Sequence, residues 1–167
     1  DENGVFSGLI STLEDITENL HLQELQHQHE QDLYRLTITD PLTGVYNRRH
    51  FDDLLENLLH MNLHKGHSLA LVIVDLDGFK FINDTYGHPV GDEVLRTVAN
   101  ALRANEHQGG AVARIAGDEF ALLLQNVNEV EADQIGHMIH DDLSRIIIPL
   151  PVGQLTVQTS IGIAVAP

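Results

Sequence analysis

Arg114-Ile115-Ala116-Gly117-Asp118-Glu119-Phe120 decides how this chain folds back on itself. Apolar Val112 and Ile115 lie before its polar centre, and Phe120-Ala121-Leu122-Leu123-Leu124 follows. Two apolar runs around a short polar centre predict two strands joined at a tight turn, with two carboxylates on the turn. Gly117 is expected to supply backbone freedom there, and Ala116 leaves the turn nearly free of side chains. A bare turn beside two acids suits a site where a phosphate and a divalent metal approach the main chain. An ordinary acidic hairpin turn would explain the same residues, because short motifs match by chance.

A second stretch shifts the balance. Ser68-Leu69-Ala70-Leu71-Val72-Ile73-Val74 is an almost continuous apolar run, which predicts a strand buried on both faces. It ends in Asp75-Leu76-Asp77-Gly78-Phe79-Lys80. Unpaired acids cost several kcal/mol in a dry interior, so acids at the end of a buried strand need another reason. At the mouth of a sheet they are hard oxygen ligands of the kind magnesium prefers. Gly78 would let backbone N–H groups face an anion. Asp75 on one strand end, with Asp118 and Glu119 on a neighbouring hairpin, gives the carboxylate set that metal-assisted phosphoryl and nucleotidyl transfer needs.

Composition narrows the classes. The chain has 167 residues and a formal net charge of −16. That charge argues against nucleic-acid binding and against anionic membrane surfaces. An acidic protein that binds a polyanionic nucleotide needs metal to screen repulsion. The chain has no cysteine, which removes disulfides and zinc–thiolate sites and fits a cytoplasmic setting. No apolar run approaches the ~18 residues of a membrane span. The first residue is Asp, so the chain reads as a fragment, and membrane attachment of its parent stays open.

Helices are expected at 18–36, 48–63, 91–102 and 129–144, with one or two strands over 152–165. On the second helix Phe51, Leu54, Leu55, Leu58 and Leu59 face inward; on the third Val94, Leu95, Val98 and Leu102 do. Asp92 would stand in the first turn of that third helix, where the dipole favours a carboxylate. Pro41 should end the first helix near Thr39. The order helix, strand, helix, hairpin, helix, strand implies an α/β sandwich of helices over a largely antiparallel sheet. His27, His29, His137 and His140 read as solvated helix residues.

The chain resembles a GGDEF domain, the catalytic module of diguanylate cyclases, from about Thr39 onward. The resemblance rests on four ordered motifs: Asp40-Pro41-Leu42-Thr43-Gly44-Val45-Tyr46-Asn47-Arg48-Arg49, Asp75 to Asp84, Tyr86-Gly87-His88-Pro89-Val90-Gly91-Asp92, and the Ala116-Gly117-Asp118-Glu119-Phe120 turn. It implies a fold like the palm of polymerases and nucleotide cyclases. It also implies condensation of two GTP into cyclic di-GMP and two pyrophosphates, in a homodimer that uses Mg2+ or Mn2+. Asp75, Asp118 and Glu119, with the Leu76 carbonyl, would hold the metal and form the catalytic centre. Gly78, Phe79 and Lys80, with the Ala116–Gly117 turn, would meet the phosphates, and Asn83 and Asp92 would read the guanine edge. A catalytically degenerate domain that binds GTP for regulation or dimerisation is the alternative. Residues 1–17 resemble the end of a PAS sensor domain, and 18–38 a helical, coiled-coil linker with a heptad seam interrupted by polar residues. The signal sensed upstream is not written in these residues.

Three departures from the family pattern stand out. Ala116 replaces the first glycine of the signature. His107-Gln108-Gly109-Gly110 stands where many members carry an Arg-x-x-Asp site for product inhibition, so inhibition through that site should be weak or absent. Members also continue into a last helix and a basic phosphate-contacting segment, so the domain at 39–167 is expected to lack its C-terminal part.

Overall fold

A computed structural model describes residues 20–29, 33–65, 68–106, 110–151 and 153–166. Strand β1 (Tyr46–Asn47) leads into helix α1 (Arg48–Lys65), and β2 (Leu69–Leu76) into α2 (Phe79–Tyr86) and α3 (His88–Ala104). The hairpin β3 (Ala111–Arg114) and β4 (Glu119–Gln125) precedes α4 (Glu129–Ser144), β5 (Ile147–Pro149), β6 (Gln154–Thr156) and β7 (Thr159–Ala166). The central sheet has the order β1-β3-β4-β2-β7. Its pairings are antiparallel except β1 with β3. Strands β5 and β6 form a separate ribbon. This is the expected mixed architecture of helices around a mostly antiparallel sheet.

Strand β2 sets the two layers. Ala70, Val72, Val74 and Leu76 are fully buried, whereas Leu71 and Ile73 are half-buried. The expectation of burial on both faces holds unevenly: on the second face Leu69 is buried, while Leu71 and Ile73 are half-buried against the α1 cluster. A continuous apolar run does not reveal how thickly each face is covered. On the fully buried face lie Phe120, Leu122 and Leu124 of β4, with Ile82 of α2, Val94, Leu95, Val98 and Leu102 of α3, and Ile139 and Leu143 of α4. On the other face Phe51 of α1, flanked by Leu54, Leu55, Leu58 and Leu59, meets Ala113, Ala121 and Leu123. Each fully buried Leu or Ile contributes roughly 1.5–3 kcal/mol.

Helix α4 begins and ends where its sequence says it should, because its start is written locally. Asn128 accepts from the Glu131 amide at 3.0 Å, and Glu131 accepts from the Asn128 amide at 2.9 Å. This reciprocal cap satisfies two donors of the first turn. Helix α3 starts earlier than expected. Gly87 takes φ 84 and Pro89 occupies the first turn, so the helix begins at His88. Asp92 consequently lies in the second turn, not the first as expected, where the helix dipole no longer accounts for a carboxylate because that effect fades beyond the first turn. Helix α2 and strand β5 were not expected. The α2 segment is short and interrupted by Asn83 and Asp84, residues that favour turns.

The chain divides into two compact units, 1–37 and 38–167. In the first, residues 20–29 and 33–37 are helical, and Leu20, Leu22, Leu25, Leu33 and Leu36 are all exposed. Helix continues to Ile38, and Thr39 then bridges Tyr46, close to the stop expected before Pro41. The PAS-like reading of 1–17 and the stretch 107–109 lie outside the described residues. Among the described residues no helix is long and apolar enough to cross a membrane.

Candidate functional site

Strand pairing brings the acids together. Asp75, near the end of β2, is the register partner of Glu119, the first residue of β4. Paired residues of an antiparallel ladder project from the same face, so both carboxylates share the α1 side of the sheet. The Leu76 amide donates to the Asp118 carbonyl at 3.2 Å, which sets residue 118 beside the end of β2. All three acids are half-buried. Among the described residues none of them has an ion-pair partner.

Asp75, Asp118 and Glu119 are neighbours, yet no three His, Cys, Asp or Glu side chains among the described residues are close enough to hold a metal ion. Like charges with no cation between them favour separation. The donor set still suits a hard divalent cation. It consists of carboxylates of half-buried residues at the mouth of a sheet, with no protein cation among the described residues to neutralise them.

The signature turn is held differently from expectation. Gly117 has no positive φ, and a β-carbon there would meet nothing within 4 Å, so its conformational freedom goes unused. Ala116 is exposed and likewise has no positive φ, so its methyl introduces no backbone strain. What fixes the turn is Arg114. Its Nε and Nη2 donate to the Gly117 carbonyl at 3.1 and 2.6 Å, and its Nη1 donates to Asp40 Oδ1 at 3.2 Å. The Ile115 amide closes the turn on the Glu119 carbonyl at 2.9 Å.

Asp40 in turn accepts from the Thr43 hydroxyl at 2.6 Å and the Thr43 amide at 2.9 Å. Burial alone would raise the Asp40 carboxyl. The Thr43 hydroxyl and amide and the Arg114 guanidinium outweigh burial and hold it below its ordinary value. Arg114 and Asp40 were assigned no role from sequence. The available signals were an Asp three residues before a Thr, as in side-chain-capped turns, and an Arg on the strand end before the acidic turn.

The expected phosphate contacts lie where β2 gives way to α2. Gly78 takes φ 71, a left-handed conformation that suits glycine, and α2 starts at Phe79. The turn is tied to β7. The Asp77 amide donates to the Gln158 carbonyl at 3.0 Å, and Ser160 Oγ donates to Asp77 Oδ1 at 2.8 Å. Lys80 is exposed. In the first turn of α2 the amides of Phe79 and Lys80 have no intrahelical acceptor.

The expected base contacts flank the α2–α3 junction. Asn83 is half-buried and its side chain lies against buried Gly91, the neighbour of half-buried Asp92. The Asn83 carbonyl also accepts from the Gly87 amide at 2.9 Å. His137 and His140 are exposed on α4, as are His27 and His29 on the linker helix.

Residues 37–167 match the family model described as "Diguanylate cyclase, GGDEF domain". Over 137 residues, 82% of this chain and 37% of the relative, the chain is 33% identical to the "Probable diguanylate cyclase DgcC" of Escherichia coli (strain K12). Over 168 residues, 99% of this chain and 23% of the relative, it is 34% identical to the "Cyclic di-GMP phosphodiesterase PdeR" of the same strain. It thus spans well under half of either protein. A crystal structure of the coiled coil and GGDEF domain of DgcB from Caulobacter crescentus, in complex with c-di-GMP, superposes with a TM-score of 0.82 at 26% identity, over 91% of this chain and 81% of that one. By its signature turn, its strand register and the family match over 37–167, the chain belongs to the GGDEF domain family.

Proposed function

We propose that this chain carries the catalytic half-site of a diguanylate cyclase, which joins two GTP into cyclic di-GMP. The observation that supports this most is the pairing of Asp75 with Glu119, with Asp118 alongside and no protein cation among the described residues to neutralise them. Asp75, Asp118 and Glu119, with the Leu76 carbonyl, would hold Mg2+ or Mn2+. When bound, such a cation lowers the pKa of the 3′-hydroxyl and offsets charge developing on the phosphates.

The amides near Gly78 and Phe79, with Lys80, hold the triphosphate. Asp92 accepts from the guanine N1–H and N2 amino donors, while the Asn83 amide answers its acceptors. Each 3′-oxygen attacks the α-phosphorus of the GTP on the other subunit. The bond from that phosphorus to the oxygen bridging to the β-phosphate breaks, and pyrophosphate leaves with the electron pair. The hydroxyl proton passes to water. Two half-sites face to face supply the proximity, which can lower the barrier by several kcal/mol. The exposed apolar residues of the linker helix suit a dimerising segment that sets this geometry. GTP as substrate places the domain in the cytoplasm.

A second reading is a regulatory domain that binds GTP without turnover. It is favoured by the likeness over nearly the whole chain to a relative named as a phosphodiesterase. Incubation with GTP and magnesium, followed by mass detection of cyclic di-GMP and an assay for pyrophosphate, separates the two. We expect both products. Asp118→Asn should keep the fold and reduce turnover by roughly a hundredfold or more, the range seen when an electrostatic stabiliser is removed. Magnesium-dependent GTP binding with neither product would favour the regulatory reading. Unchanged turnover in Asp118→Asn would reject the metal assignment.

A further inference from the structure

Gly91 sits inside α3, fully buried, with an ordinary helical backbone. Glycine is among the weakest helix formers, so a buried helical glycine needs a reason from its surroundings. The surroundings supply one. A β-carbon built at Gly91 would overlap the Asn83 side-chain oxygen, would lie 2.9 Å from Asn83 Cγ, and would lie 3.3 Å from the Phe79 ring at Cζ. The severe overlap is with a polar side chain, at its flexible end.

We propose that Gly91 is a positioning residue for base recognition. The missing methyl is the space in which the Asn83 amide rests, and that resting place sets the amide's orientation beside Asp92. The proposal rests on the reading of Asn83 and Asp92 as the guanine contacts. Alanine at 91 would turn the amide away from this face. The Phe79 ring stands on another side of the same space and narrows the rotamers left to it. A rotated amide leaves a guanine acceptor unpaired, and sites built to pair a polar group discriminate strongly against its loss. Of Phe79 the methyl meets the ring only, so the phosphate contacts made by the main-chain amides at Gly78 and Phe79 and by Lys80 should be untouched.

The test uses calorimetric titration of GTP and of ATP, with magnesium, into wild type, Gly91→Ala, Asn83→Ala and the double variant, with thermal melts as a check on folding. Gly91→Ala is expected to fold and to weaken GTP binding about tenfold or more while leaving ATP binding unchanged, matching Asn83→Ala. The double variant should bind GTP no worse than Asn83→Ala alone, because both changes remove one interaction. Wild-type GTP affinity in Gly91→Ala would overturn the proposal, as would losses that simply add. If Gly91→Ala does not fold, recovery of folding in the double variant supports Asn83 as the obstacle, and failure of both variants overturns it. Equal binding of GTP and ATP by the wild type would instead reject the guanine-reading assignment beneath it, an outcome distinct from the others.

Discussion

Arg114 and Asp40 define the site at the scale of single residues. One guanidinium holds both the Gly117 carbonyl of the signature turn and the Asp40 carboxylate, with side-chain exposures of only 16% and 20% for the pair. Arg114→Ala should destabilise the protein by about 1.5–3 kcal/mol, the range for hydrogen bonds to charged groups, as read from urea unfolding. The same pair carries a pH dependence with a defined sign. Because the Asp40 carboxyl is depressed in the folded state, its contribution is fully present above its unfolded value near 3.8. It is lost as pH falls below that value and through the folded pKa. Asp40→Asn should therefore flatten the acid limb of the stability curve, which unfolding midpoints measured across that range would reveal. The three acids of the candidate centre were legible in the sequence because charge at the end of an apolar strand has no packing explanation. Arg114 was not, since its partner lies 74 positions earlier and only folding joins them.

The elements repeat this division between local and distant causes. The inward faces of α1 and α3 followed from periodicity, and α4 has the bounds expected of it, its start fixed by the Asn128–Glu131 cap that the structure shows. The earlier start of α3 and the existence of α2 depended on Gly78 and Gly87 adopting positive φ, which residue type permits but does not dictate. The seat of α4 on β7 is another tertiary effect. A β-carbon at Gly136 would overlap Ile163 Cδ1 and lie 3.4 Å from its Cγ1. In the helix alone, alanine at this position would gain about 1 kcal/mol over glycine. We expect that gain to be suppressed in the wild type and restored in an Ile163→Val background. The two settings should differ by about 1 kcal/mol in thermal melts. Equal effects of Gly136→Ala in both backgrounds would show that the helix shifts freely on its strand.

For the molecule as a whole, net charge and turnover are linked through the polyanion it is proposed to bind. A chain of formal charge −16 gains affinity for a triphosphate only where cations intervene. The stretch 107–110 offers no arginine and no carboxylate for a second, product-bound site. Cyclic di-GMP added to the reaction should therefore leave the initial rate unchanged at concentrations that saturate an Arg-x-x-Asp site, and a rate assay with graded product would show this. A steep fall in rate would mean that another surface binds the product. The ladder between β2 and β4 has a further consequence. Side chains along a strand alternate with a period of two, so deleting or inserting a single residue within Leu69–Asp75 or Phe120–Gln125 would turn Asp75 and Glu119 to opposite sides of the sheet. Descendants of this sequence can exchange many residues in these strands and keep the centre, but they cannot change the number of residues between the buried core and its acids.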